Sequence, residues 1–217
     1  MRPIAVVGGT GPEGLGLALR LAAAGEAIAL GSRRAQRAAA AAAAIRGRVP
    51  NARVTAATNA DAIAAADRVV LALPYAGLAR FLDGVAAALA DKLVIDVVVP
   101  LAFRDGAFEV APVPGAGSVG EILQSRLPRS RVVSAFKNLS AEKLRALGTP
   151  LEGDVVLCGE DPGARAEVAA LVSAIPHLRP VDAGGIRNAR FLEAITALLL
   201  NLNRRHEAVT SIAILGL

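Results

Sequence analysis

A chain of 217 residues with 54% apolar side chains can fill one large core, or one domain with a small lobe attached. A single cysteine and two histidines, none in ligand spacing, exclude an internal disulfide and a zinc or iron centre. The net charge of +5 comes mostly from arginines without interleaved aromatics, which sets nucleic acid aside in favour of small anionic ligands. The longest uncharged apolar run, 194–200, is far too short to span a membrane.

The start, Arg2-Pro3-Ile4, enters a strand at once and leaves no room for a signal peptide. With Cys158 as the only thiol, it implies a cytoplasmic protein. The run Ile4-Ala5-Val6-Val7 then meets Gly8-Gly9-Thr10-Gly11-Pro12-Glu13-Gly14, and an Ala/Leu-rich helix follows from about Leu15 to Ala24. Strand, glycine turn and helix in this order make a dinucleotide site. Gly9 and Gly11 are expected to take the tight turn and let the main chain approach a pyrophosphate. Gly14 lets the helix pack close to the strand. The phosphates would sit on free N–H groups at the positive end of the helix dipole.

Ala27-Ile28-Ala29-Leu30 reads as a second strand, ending in Gly31-Ser32-Arg33-Arg34. An NAD-specific fold wants an acidic side chain here for the ribose 2′-hydroxyl. This chain offers Ser32, Arg33 and, one helical turn on, Arg37, a hydroxyl and guanidinium groups suited to a 2′-phosphate. The cofactor expected is therefore NADP.

The alanine tract from Ala35 to Ile45 is a second helix. A third strand covers Val54-Thr55-Ala56, and a helix from Asn59 to Ala66 is expected to be capped by Asn59. Arg68 to Pro74 reads as a buried parallel strand, so Leu73 and Tyr75 at its end are candidate cofactor neighbours. Gly77 to Leu89 is a helix and Lys92 to Pro100 a strand with Asp96 inside it. Residues 104–117 read as a Gly/Pro-rich loop, and Ser118 with Glu121 forms a capping box. Strands at 131–136, 154–159 and 178–185, a helix at 162–174, a long helix at 187–206 and an apolar tail from Ile212 complete the chain. The alternation predicts an α/β, Rossmann-type doubly wound parallel sheet. Glycine and proline cluster at 145–153, which divides the chain into a dinucleotide-binding domain, 1–150, and a small C-terminal lobe, 151–217.

The chemistry available is sparse. The only tyrosine, Tyr75, has Ala79 four residues on, so the Tyr/Lys pair of short-chain dehydrogenases is excluded. No Gly-x-Ser-x-Gly elbow is present. Hydride transfer between two bound cofactors needs no side-chain acid, base or nucleophile, only two ring faces held together away from water. No catalytic side chain and no metal are expected. Lys137, at the end of the sixth strand, is the one polar candidate near such a site.

Gly8-Gly9-Thr10-Gly11-x-x-Gly14, Gly31-Ser32-Arg33-Arg34, Val132-Val133-Ser134-Ala135 and Arg179-Pro180-Val181-Asp182-Ala183-Gly184 occur in an order and spacing that resemble the coenzyme F420-dependent NADP oxidoreductases. The likeness runs nearly the whole chain. It implies a small Rossmann enzyme, a homodimer, that passes hydride between NADP(H) and the deazaflavin coenzyme F420. By resemblance Gly9, Thr10, Gly11, Pro12 and Glu13 surround the pyrophosphate, and Ser32, Arg33 and Arg37 hold the 2′-phosphate. Leu73, Tyr75, Val99 and Ala141 line the nicotinamide side, while Lys137 and Ile212 face the deazaflavin. Archaeal members carry His in place of Lys137, a change that suits an anionic deazaflavin or a different acceptor. The competing readings are a related NADPH-dependent reductase of an imine, a flavin or ferric iron, and a non-catalytic NADP-binding redox sensor.

Overall fold

The computed structural model describes residues 2–217. Its strands are β1 (Ile4–Val7), β2 (Ile28–Ser32), β3 (Val54–Thr58), β4 (Arg68–Leu71), β5 (Leu93–Asp96), β6 (Leu101–Arg104), β7 (Ala107–Val110), β8 (Arg131–Ser134), β9 (Gly153–Gly159) and β10 (Leu178–Asp182). The helices are α1 (Pro12–Ala23), α2 (Ala35–Arg48), α3 (Asn59–Ala64), α4 (Leu78–Leu89), α5 (Val119–Arg126), α6 (Ala141–Arg145), α7 (Pro162–Ser173) and α8 (Ala189–His206).

Eight strands form one sheet in the order β10-β9-β8-β5-β4-β1-β2-β3. The portion β3-β2-β1-β4-β5-β8 is the doubly wound dinucleotide-binding order, with its reversal at β1. Successive residues of β1 point to opposite faces, as the pleat requires. Ile4 and Val6 enter a core shared with α1, α2 and α7, whereas Ala5 and Val7 enter one shared with α3, α4, α5 and α8. Both faces are covered, which is why the strands read as unbroken apolar runs rather than alternating ones.

The sheet departs from simple parallel winding at one place. β9 runs antiparallel to β8, with Val133 opposite Gly159 and Ser134 opposite Cys158. The C-terminal third thus continues the same sheet, with β10 parallel to β9. The register places Gly153–Leu157 beyond the C-terminal end of β8.

Two local expectations are corrected. The first part of the loop expected at 104–117 belongs instead to the antiparallel hairpin β6/β7, which spans 101–110 and is turned by Asp105 and Gly106, both at positive φ. It lies on α8, where Asn201 accepts from the Phe108 N–H at 2.7 Å and donates to its carbonyl at 2.8 Å. The cap of α3 is Thr58, whose hydroxyl accepts from the Asp61 N–H at 3.2 Å. Asn59 instead reaches back to the glycine turn, its Oδ1 accepting from the Gly8 N–H at 3.2 Å. The Ser118 cap does form: its Oγ accepts from the Glu121 N–H at 3.2 Å and donates to the Glu121 carboxylate at 2.9 Å.

Candidate active site

The glycine turn leaves β1 at the strand-order reversal. Its left-handed residue is Gly8, at φ +74°, where any side chain would be driven into the Ala72 carbonyl. At Gly14 a Cβ would stand 2.7 Å from the Gly8 carbonyl oxygen and 3.1 Å from the Ala72 side chain, so this glycine permits the close approach of α1 to the turn. Gly11 caps α1 with no side-chain acceptor, and Pro12 follows at the first helical position. The helix therefore presents open backbone donors at its positive end.

Beside the turn lies a cavity of about 440 Å³ lined by Thr10, Ser32, Arg33, Arg34 and Arg37. Thr10 and Ser32 touch through their hydroxyls at 3.3 Å, and Ser32 Oγ also accepts from the Arg34 N–H at 3.3 Å. No acidic residue occupies the first turn of α2, so three arginines surround a helix N-terminus uncompensated by a carboxylate. Such a cluster favours an anion, because guanidinium groups at the positive end of a helix repel it and one another.

A second cavity, of about 510 Å³, opens on the same rim between the turn, the segments after β5 and β8, α6 and α8. It gathers Glu13, Val99, Lys137 and Ala141 of the expected residues, and adds Asn138, Thr196, Leu199 and Thr210. Leu73 and Tyr75 sit half-buried at the end of β4, beside the turn, and line neither cavity. Ile212 lies along β9, where its carbonyl accepts from the Asp154 N–H at 2.8 Å; it too is outside both linings.

Lys137 is neither a surface lysine nor a free cation. Phe136 before it is buried at φ +60°, a left-handed conformation that costs a bulky residue energy and turns Lys137 inward. The ammonium meets Asp96 Oδ2 at 2.7 Å, Glu193 Oε1 at 3.3 Å and the Val98 carbonyl. Asp96 also accepts from the Val98 N–H at 2.9 Å and the Ser134 hydroxyl at 2.7 Å. Glu193 Oε1 accepts from the Val119 N–H at 2.9 Å. All three ammonium protons are thus engaged, and the ends of β5, β8 and α5 are tied to α8. Burial raises the Glu193 carboxyl, with Lys137 opposing and Asp96 reinforcing that shift. Burial also pushes the nearby Cys158 thiol up to about 12, leaving no thiolate for chemistry.

Glu13 is the other ionisable group of interest. Its Oε1 is buried and has no hydrogen-bond partner, and burial pushes its carboxyl up to about 8. Nothing in the sequence alone separates such a carboxyl from an ordinary acidic residue in a first helical turn.

The arrangement has counterparts. The sequence model of the family described as NADP oxidoreductase coenzyme F420-dependent matches residues 3–100. The F420-dependent NADP reductase of Methanothermobacter thermautotrophicus is 40% identical over 209 residues, spanning 94% of this chain and 90% of that one. The chain belongs to this family. A second member, the F420-dependent NADP reductase of Methanocaldococcus jannaschii, is 37% identical over 94% of both chains. A crystal structure from Arthrobacter sp. FB24, provisionally assigned as an F420-dependent NADP reductase, superposes with a TM-score of 0.81 at 29% identity, over 99% of this chain and 98% of that one. A reductive aminase from Aspergillus terreus solved with NADPH shares the fold, at TM-score 0.64 and 18% identity over 95% of this chain and 63% of that one.

Proposed function

We propose that this chain transfers hydride between NADP(H) and coenzyme F420, and that no side chain acts as nucleophile or proton relay. The observation that supports it most directly is the pair of cavities on one strand rim. One carries hydroxyls and three arginines and the other sets Val97, Val99, Leu101, Leu199 and Leu200 among polar side chains, in a chain 40% identical to an F420-dependent NADP reductase. NADPH, when bound, supplies the hydride from its nicotinamide ring. The protein binds, orients and excludes water.

Gly9, Thr10, Gly11 and Pro12 would lie against the pyrophosphate, with the open amides of α1 as donors. Ser32, Arg33 and Arg37 would hold the 2′-phosphate, and Arg34 joins them as a residue that lines the same cavity. Val99 and Ala141 would form the nicotinamide side, with Leu73 and Tyr75 flanking the turn. Ile212 would approach the deazaflavin from the tail. Lys137 serves this site by holding its floor, its ammonium being already engaged. Residues 1–150 would then carry NADP, and 151–217 would supply the deazaflavin and subunit contacts.

The same proposal includes a cytoplasmic homodimer. Phe103, Phe191 and Leu198 are 54%, 61% and 56% exposed on the hairpin and α8, an apolar surface that a second copy would cover. Among the described residues no helix is long and apolar enough to cross a membrane. The test is to mix purified protein, NADPH and F420 and follow the deazaflavin absorbance. Bleaching that requires the protein is expected. Absence of bleaching, with turnover of an imine or a flavin instead, would refute the F420 assignment.

A further inference from the structure

The glycine turn carries a carboxyl that the hydride-transfer reading does not use. Glu13 is the second residue of α1, next to the position proposed for the pyrophosphate. Its side chain reaches the wall of the larger cavity, where Oε1 is buried and unpartnered. Among the described residues no cation forms an ion pair with it. Lys137 is saturated by Asp96, Glu193 and the Val98 carbonyl. On α6, Glu142 adds like charge to the same lining, and Arg145, which donates its Nε to the Ala141 carbonyl at 3.1 Å, lines the cavity without pairing with Glu13. Lys143, also on α6, makes no hydrogen bond to Glu13. On α1 itself, Arg20 is spent on the carbonyls of Lys143, Leu144, Ala146 and Thr149.

A carboxylate in that position would set a like charge in a buried wall beside an anionic dinucleotide. A carboxylic acid there would be a hydrogen-bond donor facing a ligand rich in acceptor oxygens. We infer that Glu13 is a neutral carboxylic acid in the dinucleotide complex and donates its O–H to an oxygen of the bound dinucleotide, so that binding takes up a proton whenever the free side chain is ionised. The inference rests on the NADP reading of the turn. It converts Glu13 from an acidic neighbour of the pyrophosphate into a residue whose protonation state gates affinity. Burial of the free carboxyl, which already pushes it up to about 8, acts in the same direction.

The experiment is calorimetric titration of the protein with NADPH at pH 8 in two buffers of different ionisation enthalpy. The 2′-phosphate has its second ionisation near pH 6, so it is fully charged there and contributes little. Linkage gives a fractional uptake that grows toward one proton per site as the titration is repeated at higher pH, up to pH 9. Above pH 8 the wild-type Kd should rise, approaching about tenfold per pH unit. The variant Glu13→Gln keeps a donor of similar reach but cannot ionise. It should bind NADPH with no proton uptake and a Kd that stays flat from pH 7 to 9. Binding heat from the wild type without proton uptake anywhere from pH 7 to 9, and with a flat Kd over that range, overturns the inference, as does the same uptake in Glu13→Gln. A wild-type protein that gives no binding heat at all refutes the NADP reading instead.

Discussion

Replacing Lys137 by methionine tests the idea that a buried ion cluster, rather than a ligand, is what that lysine serves. The substitution keeps the aliphatic stem and removes the cation that pairs with Asp96 and Glu193 among the described residues; all three side chains are without solvent exposure. Asp96 keeps its two hydrogen bonds, from Val98 and Ser134, but loses its counter-charge. Glu193 keeps only the Val119 N–H, its Oε2 being already unpartnered. Breaking a buried pair from one side costs about 3–5 kcal/mol. For a chain of this size that corresponds to a fall in Tm of about 6–20 °C. Thermal and urea unfolding at pH 7 measure it. Adding Asp96→Asn and Glu193→Gln to Lys137→Met should recover part of the loss, because the stranded carboxylates are then gone. A single variant that loses under about 1 kcal/mol, or a triple variant no better than the single, would refute the cluster as a structural tie. NADPH affinity should change much less than stability, since the arginine cavity lies at the other end of the proposed dinucleotide site.

Two further outcomes are expected. Arg33→Ala should weaken NADPH binding about 10–100-fold, the worth of one charge-assisted phosphate contact, and leave NADH binding nearly unchanged; fluorescence titration with both dinucleotides checks this, and equal losses would count against a 2′-phosphate site. Arg179 grips Asp154 at 2.7 and 2.8 Å while donating to the carbonyls of Ile214 and Leu217, and this pairing holds the Asp154 carboxyl below the usual carboxylate range. A depressed carboxyl stabilises above its ordinary value and stops doing so as pH falls through its folded value, so Arg179→Ala at pH 7, and acidification of the wild type from about pH 4 downward, should both lower the amide protection of 210–217 relative to the intrinsic exchange rate at the same pH.

The elements of the sheet were legible because each carries its own local signal. Apolar β-branched runs mark the strands, Gly25 stops the first helix, and Ser118 with Glu121 writes its cap into four residues. The hairpin at 101–110 had a signal too, the Asp105-Gly106 pair, but proline and glycine around it read as loop. Thr58-x-x-Asp61 is likewise a cap pattern that Asn59 obscured. The basic cavity was legible because its residues are near neighbours in sequence. What could not be read was the pairing of residues far apart. Lys137, Asp96 and Glu193 come together only through the positive φ of Phe136 and the path of α8. The burial of Glu13 depends on segments more than a hundred residues downstream, and the reversal of β9 has no local signature.

That reversal has an architectural result. Because only the last two residues of β9 pair with the last two of β8, the earlier part of β9 stands past the β8 end and the sheet supplies its own rampart above the strand ends. Asn138 moors it there, donating to the Asp154 carbonyl at 2.7 Å. Two-domain reductases set the width of their cleft by hinge rotation. Here main-chain pairing and one amide mooring fasten the C-terminal third to the same sheet, so no hinge segment separates it from the strands that carry the glycine turn.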